Sequence, residues 1–261
     1  DFDLYTRTSP SHADLPDSGQ PVSYMLRNLR TPFGAVDNYL TLASNYGDMT
    51  YYWHGIDMTA TARTNNDLTL QGGFTTGAGT RDQCDIWAAV PESMVALGVN
   101  PRVDACRIEE PWLWNWRGLV SYVVPKVDVQ VSGILRSQAN IQSTNDPASS
   151  GLSQQAQYFE TNAAILAALG HPIAGGGTTT TLDLAKLGQV YPDRLNTVDM
   201  GFTKILRFGR TRTNVGVDLY NLFNANTGTT FNQVFGTDGA TYLRPNAILN
   251  PRYVRFNATV D

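Results

Sequence analysis

The chain has 261 residues, of which 42% are hydrophobic and only 16% charged, with a formal net charge of −4. So small a charged fraction is unusual for a fully solvated surface, and an acidic balance without a basic stripe excludes an ordinary nucleic-acid binder. No run approaches about 18 consecutive apolar residues, which excludes a transmembrane helix but not a membrane barrel, whose alternating strands average out in hydropathy.

In chain order, residues 1–50 carry Pro, Ser and Asp throughout and read as a long, extracellular loop region. The opening "DFDLYTRTSP" shows no signal peptide, so either one was removed or the chain begins within a longer gene product. Residues 51–261 hold seven stretches in which apolar and polar side chains alternate, the mark of a strand with two unlike faces. In "YYWHGIDMTATAR" (51–63), Ile56, Met58, Ala60 and Ala62 oppose Asp57, Thr59, Thr61 and Arg63. "LTLQGGFT" (68–75) sets Leu68, Leu70 and Phe74 against Thr69, Gln71 and Thr75.

"WLWNWRGLVSYVV" (112–124) sets Trp114, Trp116, Val120, Tyr122 and Val124 against Asn115, Arg117 and Ser121. "VDVQVSGILR" (127–136) opposes Val127, Val129, Val131 and Leu135 to Asp128, Gln130, Ser132 and Arg136. "LNTVDMGFTKILRF" (195–208) is less clean, since Lys204 shares a face with Val198, Met200, Phe202 and Leu206. "TNVGVDLYNLF" (213–223) sets Val215, Val217 and Leu219 against Asn214, Asp218 and Tyr220. The last stretch places Val254, Phe256, Ala258 and Val260 opposite Arg255, Asn257, Thr259 and Asp261.

The connections alternate in length. Tight turns are expected at Asn65-Asn66-Asp67, around Pro125-Lys126 and at Gly209-Arg210. Long loops are expected at about 77–111, 138–194 and 224–250. In an antiparallel meander this puts the turns at one end and the loops at the other, the asymmetry of an outer-membrane barrel. A soluble sandwich shows alternating faces but has no reason to segregate loop lengths, and a soluble barrel reverses the polarity of its faces. Tyr51, Tyr52, Trp53, Trp112, Trp114 and Trp116 gather at the loop ends of their strands, where an aromatic girdle belongs; core aromatics are the plainer alternative. The expected fold is thus all-β, an antiparallel transmembrane meander of about seven strands.

Cys84 and Cys106 flank loop-like sequence, and a disulfide between them fits an oxidising, extracytoplasmic setting. "NAAILAALG" (162–170) reads as two helical turns within a loop, and "AGGGTTTT" (174–181) as a flexible or extended segment without the Lys-Ser/Thr ending of a phosphate loop. His12, His54 and His171 have no zinc-like spacing, so no metal is expected. The carboxylates of "NPRVDACRIEE" (100–110) and "GTDGATY" (236–242) do not follow a calcium-loop pattern. A Ser-His-Asp set can be assembled only from scattered residues, so neither an enzyme nor a cofactor is expected.

"YPDRLNTVDMGFTKILRFGRTRTNVGVDLYNLFNAN" (191–226), followed by "YLRPNAILNPRYVRFNATVD" (242–261), resembles the C-terminal end of TonB-dependent receptor barrels. The likeness is to large receptors with an N-terminal carboxypeptidase-regulatory-like domain. "YYWHGIDMTATARTNNDLTLQGGFTTGAGTRDQC" (51–84) resembles the same family. The resemblance implies a barrel of about 22 strands filled by an N-terminal plug, in the bacterial outer membrane, importing a scarce nutrient with energy relayed by TonB. The partners it implies are membrane lipid, the plug, TonB and an unidentified nutrient.

It also implies that Arg63, Arg117, Asp128, Arg136, Asp199, Asp218 and Arg255 face the lumen, toward the plug or the substrate path. The chain departs from the family pattern in having about seven strands, no recognisable plug and no TonB-contacting segment near its start. Asp261 stands one position before the terminal aromatic that such barrels usually carry. These departures suit a C-terminal segment of a longer receptor. They also suit a structural or surface-assembly outer-membrane protein without transport activity, its strand edges paired to other chains.

Overall fold

The computed structural model describes residues 2–27, 40–65, 67–94, 100, 102–140, 154–209 and 211–260. Asn66, Arg210 and Asp261 lie outside these, as does the whole of 141–153. The protein is mostly antiparallel β. Each of the seven alternating stretches is a strand, and together they pair in chain order. The strands are β3 (Thr50–Arg63), β4 (Leu68–Asp82), β6 (Leu113–Val124), β7 (Val129–Gln138), β10 (Leu195–Phe208), β11 (Thr211–Tyr220) and β14 (Tyr253–Val260). A short β5 (Arg107–Glu109) adds to the far end of β4. Among the described residues the sheet is open, with β3 and β14 at its edges.

Register follows the alternation strictly. Ile56, Met58, Ala60 and Ala62 lie opposite Thr76, Phe74, Gly72 and Leu70, and the same face continues through Trp116, Leu135, Val198, Phe202, Val217 and Phe256. The opposite face carries Asp57, Arg63, Arg117, Arg136, Asp199, Asp218 and Arg255. Lys204, the exception in the sequence, lies on the apolar face near its turn end. Its ammonium reaches back to donate to the Val127 carbonyl, as a long cationic side chain does when its stem covers apolar surface.

The tight turns stand where their residues permit. Asp67 and Gly209 take left-handed backbone, at φ 58° and 62°, which Asp tolerates and Gly favours. Between β6 and β7, Lys126 (φ 71°) and Asp128 (φ 48°) make the reversal, so β7 begins at Val129 and Asp128 belongs to the turn rather than to the strand. The sequence boundaries shift elsewhere too. β4 runs to Asp82, past the expected end at Thr75, and β11 stops at Tyr220 because Asn221 turns at φ 49°.

The described parts of the N-terminal region and of the three long connections carry regular structure. Residues 2–27 form a hairpin of β1 (Phe2–Thr8) and β2 (Pro21–Arg27). The first connection contains α1 (Cys84–Ala89); the second contains β8 (Gln157–Thr161), α2 (Asn162–Leu169) and β9 (Thr179–Asp183). The third contains β12 (Gly228–Phe231) and β13 (Pro245–Ile248). Helix α2 is capped at both ends. Thr161 Oγ1 accepts from Ala164 N at 3.2 Å, and Gly170 closes the helix in left-handed conformation.

These pieces are stitched into one layer at the loop end. Tyr24 bridges to Arg102, Asn100 to Leu182, and Gln157 to Val234. The hydrophobic core lies here. One cluster joins Leu15, Ala156, Leu184, Ala185, Val190, Phe235 and Tyr242; the other joins Tyr5, Val22, Tyr24, Leu26, Ile165 and Leu182. Of the buried hydrophobic side chains, only Ala78 and Ile205 come from the seven long strands. Core and sheet are separate.

Candidate functional site

Three surfaces carry the protein's chemistry: the apolar sheet face, the polar sheet face and the loop layer. The apolar face is open to its surroundings along its whole length. Met58 is 62% exposed, Phe256 78% and Val260 68%, with Ile56, Leu70, Trp114, Val120, Leu135, Phe202, Val215 and Val254 exposed beside them. Burying a large aliphatic or aromatic side chain is worth about 1.5–3 kcal/mol, and the fold leaves that stabilisation unrealised at position after position. A contiguous face of this kind marks a protein or membrane contact.

Aromatic rings concentrate at the loop end of this face. His54 stacks on Tyr52 with ring centres 6.0 Å apart and meets Trp112 edge-on at 5.2 Å. Trp116 packs on Phe74 at 4.5 Å and stands edge-on to Trp114. The girdle expectation therefore needs a correction at two positions. Tyr51 and Trp53 have the parity of Asp57 and lie on the polar face. On that face the Trp53 ring lies over the cross-strand pair Gly55 and Gly77. A Cβ on those residues would come within 2.2 and 2.1 Å of it. Tyr51 lies opposite Arg81, whose guanidinium stands 5.3 Å from its ring centre.

On the polar face, Asp218 gathers three donors: Arg255 through Nη2 at 2.8 Å and Nε at 3.2 Å, and Asn257 Nδ2 at 2.8 Å. Asp199 accepts from the Asn221 backbone at 2.8 Å, fixing the end of β11. Asp128 pairs with Arg207 at 3.1 Å across the turn end. Arg63, Arg117 and Arg136 share the face without an ion-pair partner among the described residues. The seven residues thus form small separate groups rather than a single constellation.

The loop layer holds buried polar chemistry that the sequence reading did not identify. Arg102 donates to Asp17, to Asp104 at 2.8 and 2.9 Å, and to the Leu184 carbonyl at 3.1 Å, so one side chain ties three segments together. Although burial pushes the Asp104 carboxyl up, the Arg102 hydrogen bonds and charge, with Lys186, hold it below its ordinary value. Asp183 accepts from the backbone N–H of Ala156 and Ala185. Burial pushes its pKa up to about 6 against the pull of those bonds and of Arg102. Glu160 receives both Arg7 and the Tyr5 hydroxyl. The signal for this layer was present in one place: Val22, Tyr24 and Leu26 alternate with Ser23, Met25 and Arg27 and are buried.

Cys84 and Cys106 are joined in a disulfide with Cα atoms 4.7 Å apart, closing the loop that carries α1. The three histidines stay apart. His12 packs edge-on against Phe235 and Tyr242, His54 lies in the aromatic band, and His171 meets Asp3 at 2.7 Å. Among the described residues, no three His, Cys, Asp or Glu side chains gather to hold a metal, and no helix is long and apolar enough to cross a membrane.

A second cation, besides Lys204, lies off the polar face. Arg194, just before β10, lays its guanidinium 3.5 Å from the centre of the Trp114 ring and donates to the Trp114 carbonyl at 2.7 Å. Below the aromatic band the apolar face is hollowed by a groove of about 660 Å³. Comparisons with family models, curated proteins and solved structures find no match.

Proposed function

We propose that the chain is a C-terminal segment of a transmembrane barrel of the TonB-dependent receptor type, importing a scarce nutrient across a bacterial outer membrane. In this reading the apolar face meets lipid, the polar face lines the lumen, and the loop layer meets the nutrient outside the cell. One observation carries it: the sheet leaves its apolar face exposed from edge to edge, while the hydrophobic core is confined to the loops at one end. A water-soluble domain gains its stability by burying that face; a barrel wall leaves it for lipid. The segregation of turns from loops supports the same reading.

Single cysteines report the two faces. At Met58, Phe202 and Phe256 they are expected to react with a lipid-soluble maleimide and resist a water-soluble one in washed outer membranes. At Thr61 and Asn214 the water-soluble reagent is expected to react. Release of the chain from washed membranes, or equal labelling of both faces by the water-soluble reagent, overturns the membrane reading.

The open edges at β3 and β14 favour a second reading, a surface-assembly subunit whose edges pair with other chains. An open edge in lipid leaves backbone groups without partners, at several kcal/mol each. The polypeptide isolated from membranes distinguishes the two. Peptides of a plug upstream of Asp1 support the receptor; a polypeptide of this length in a larger complex supports the assembly subunit.

A further inference from the structure

We propose that the apolar face carries a site for one phosphate-bearing membrane lipid, with its headgroup at Arg194 and one acyl chain in the groove below. The proposal rests on the membrane reading above. The groove crosses the middle of the sheet and is lined by Ala60, Leu70, Gly118, Gly133, Leu135 and Met200, among others. At Gly118, neither backbone conformation nor crowding calls for glycine. A Cβ there would meet only Leu135 Cβ at 3.8 Å, an ordinary contact. The missing side chain instead deepens the groove, on a face that elsewhere carries Trp116, Phe202 and Phe256.

Arg194 supplies the charge. Its stack on Trp114 and its reach to Ser137 Oγ at 3.4 Å place it on the apolar face, because both partners belong to that face. No acid pairs with it among the described residues, and its Nη1 has no hydrogen-bond partner there. A cation fixed by an aromatic ring, with its Nη1 donors left over, is suited to a phosphate, whose oxygens accept charge-assisted N–H bonds.

The spacing suits a lipid. Along β10, Val198 lies four residues beyond Arg194, about 13 Å at the rise of a strand, and Val198 lines the groove. Half of a hydrocarbon core about 30 Å thick is close to that distance. A headgroup at the interface therefore sends its chain into the groove within one leaflet. Free phosphate would use Arg194 alone and leave the groove irrelevant.

The test is native mass spectrometry of the chain, extracted from its own membranes in mild detergent, with lipid identified after dissociation. One phosphate-bearing lipid per chain is expected to remain bound. R194Q and Gly118→Leu are each expected to lower its occupancy by about tenfold or more, the scale of losing a charge-assisted hydrogen bond or the chain's seat. Both variants are expected to float with liposomes as the parent does. Normal flotation with no retained lipid, or with unchanged retention in either variant, overturns the lipid site and leaves the membrane reading standing. Failure of the parent chain to float overturns both.

Discussion

Arg117 on β6 lies directly opposite Arg136 on β7, both on the polar face, with Gly73 and Thr197 as their outer neighbours in register. Like charges directly opposite each other destabilise a strand pair, and opposite charges stabilise it by roughly 0.2–1 kcal/mol. Arg136→Glu is therefore expected to raise the stability of the isolated chain by about that amount, read as a shift in its denaturation midpoint in detergent. A loss of stability would mean that an acidic group covers the pair.

Asp183 gives the loop layer a pH dependence whose sign follows from its raised pKa. Between the ordinary carboxylate value of 3.8 and about 6, the folded layer holds a proton that the unfolded chain releases. This contribution is full below the lower value and is lost as pH rises through about 6. Asp183→Asn keeps an oxygen for the Ala156 and Ala185 N–H groups and removes the buried charge. Hydrogen exchange in β9 is expected to slow at pH 7.5 and to lose part of its pH dependence between 4 and 6. Asp104, held low by Arg102 and Lys186, contributes in the opposite sense, a stabilisation lost as pH falls. Arg102→Ala, which removes that lowering, is therefore expected to weaken the layer at neutral pH and to flatten its loosening on acidification.

Trp53 and its two glycines act as a unit. Gly77→Ala is expected to displace the ring, since the new Cβ would stand 2.1 Å from it, at a cost of roughly 1–3 kcal/mol for overpacking. In a Trp53→Ala background the same change is expected to cost less, the remaining cost coming from the His54 carbonyl, which stands 2.9 Å from the new Cβ. A double-mutant cycle measures the coupling. Additive effects would show that the ring does not rest on Gly77.

Reducing the Cys84–Cys106 bond is expected to loosen α1 and β5 while leaving the seven-strand pairing intact. A loop of this length closed by a disulfide gains roughly 3 kcal/mol in the chain-entropy model. Faster exchange confined to residues 84–109 is the expected outcome. Loss of protection in β6 would place the disulfide under the whole sheet instead.

The sheet was readable because period-two alternation is a local signal: each strand declares its faces without reference to its neighbours. Even Trp53 was assignable by parity with Asp57 once its position in β3 was counted. The loop layer was far less readable because its core joins short pieces distant in sequence, such as Tyr24 with Leu182 and Leu15 with Phe235. No periodicity spans such contacts. Val22, Tyr24 and Leu26 were a legible exception, obscured by the Pro- and Ser-bearing residues around them. Arg194 had no sequence signal, since its face is set by the Trp114 ring it lies against.

The first and last strands of the meander are at opposite edges of the sheet, yet the segments leading into them meet in the loop layer. Leu15, ahead of β3, packs with Phe235 and Tyr242, ahead of β14. The layer thus acts as a strap across the open sheet, fixing how far apart its two margins stand at that end. Among the described residues nothing comparable joins the margins at the turn end. Any splaying of this sheet is therefore a fan-like motion about the strapped end, widest at the three short turns.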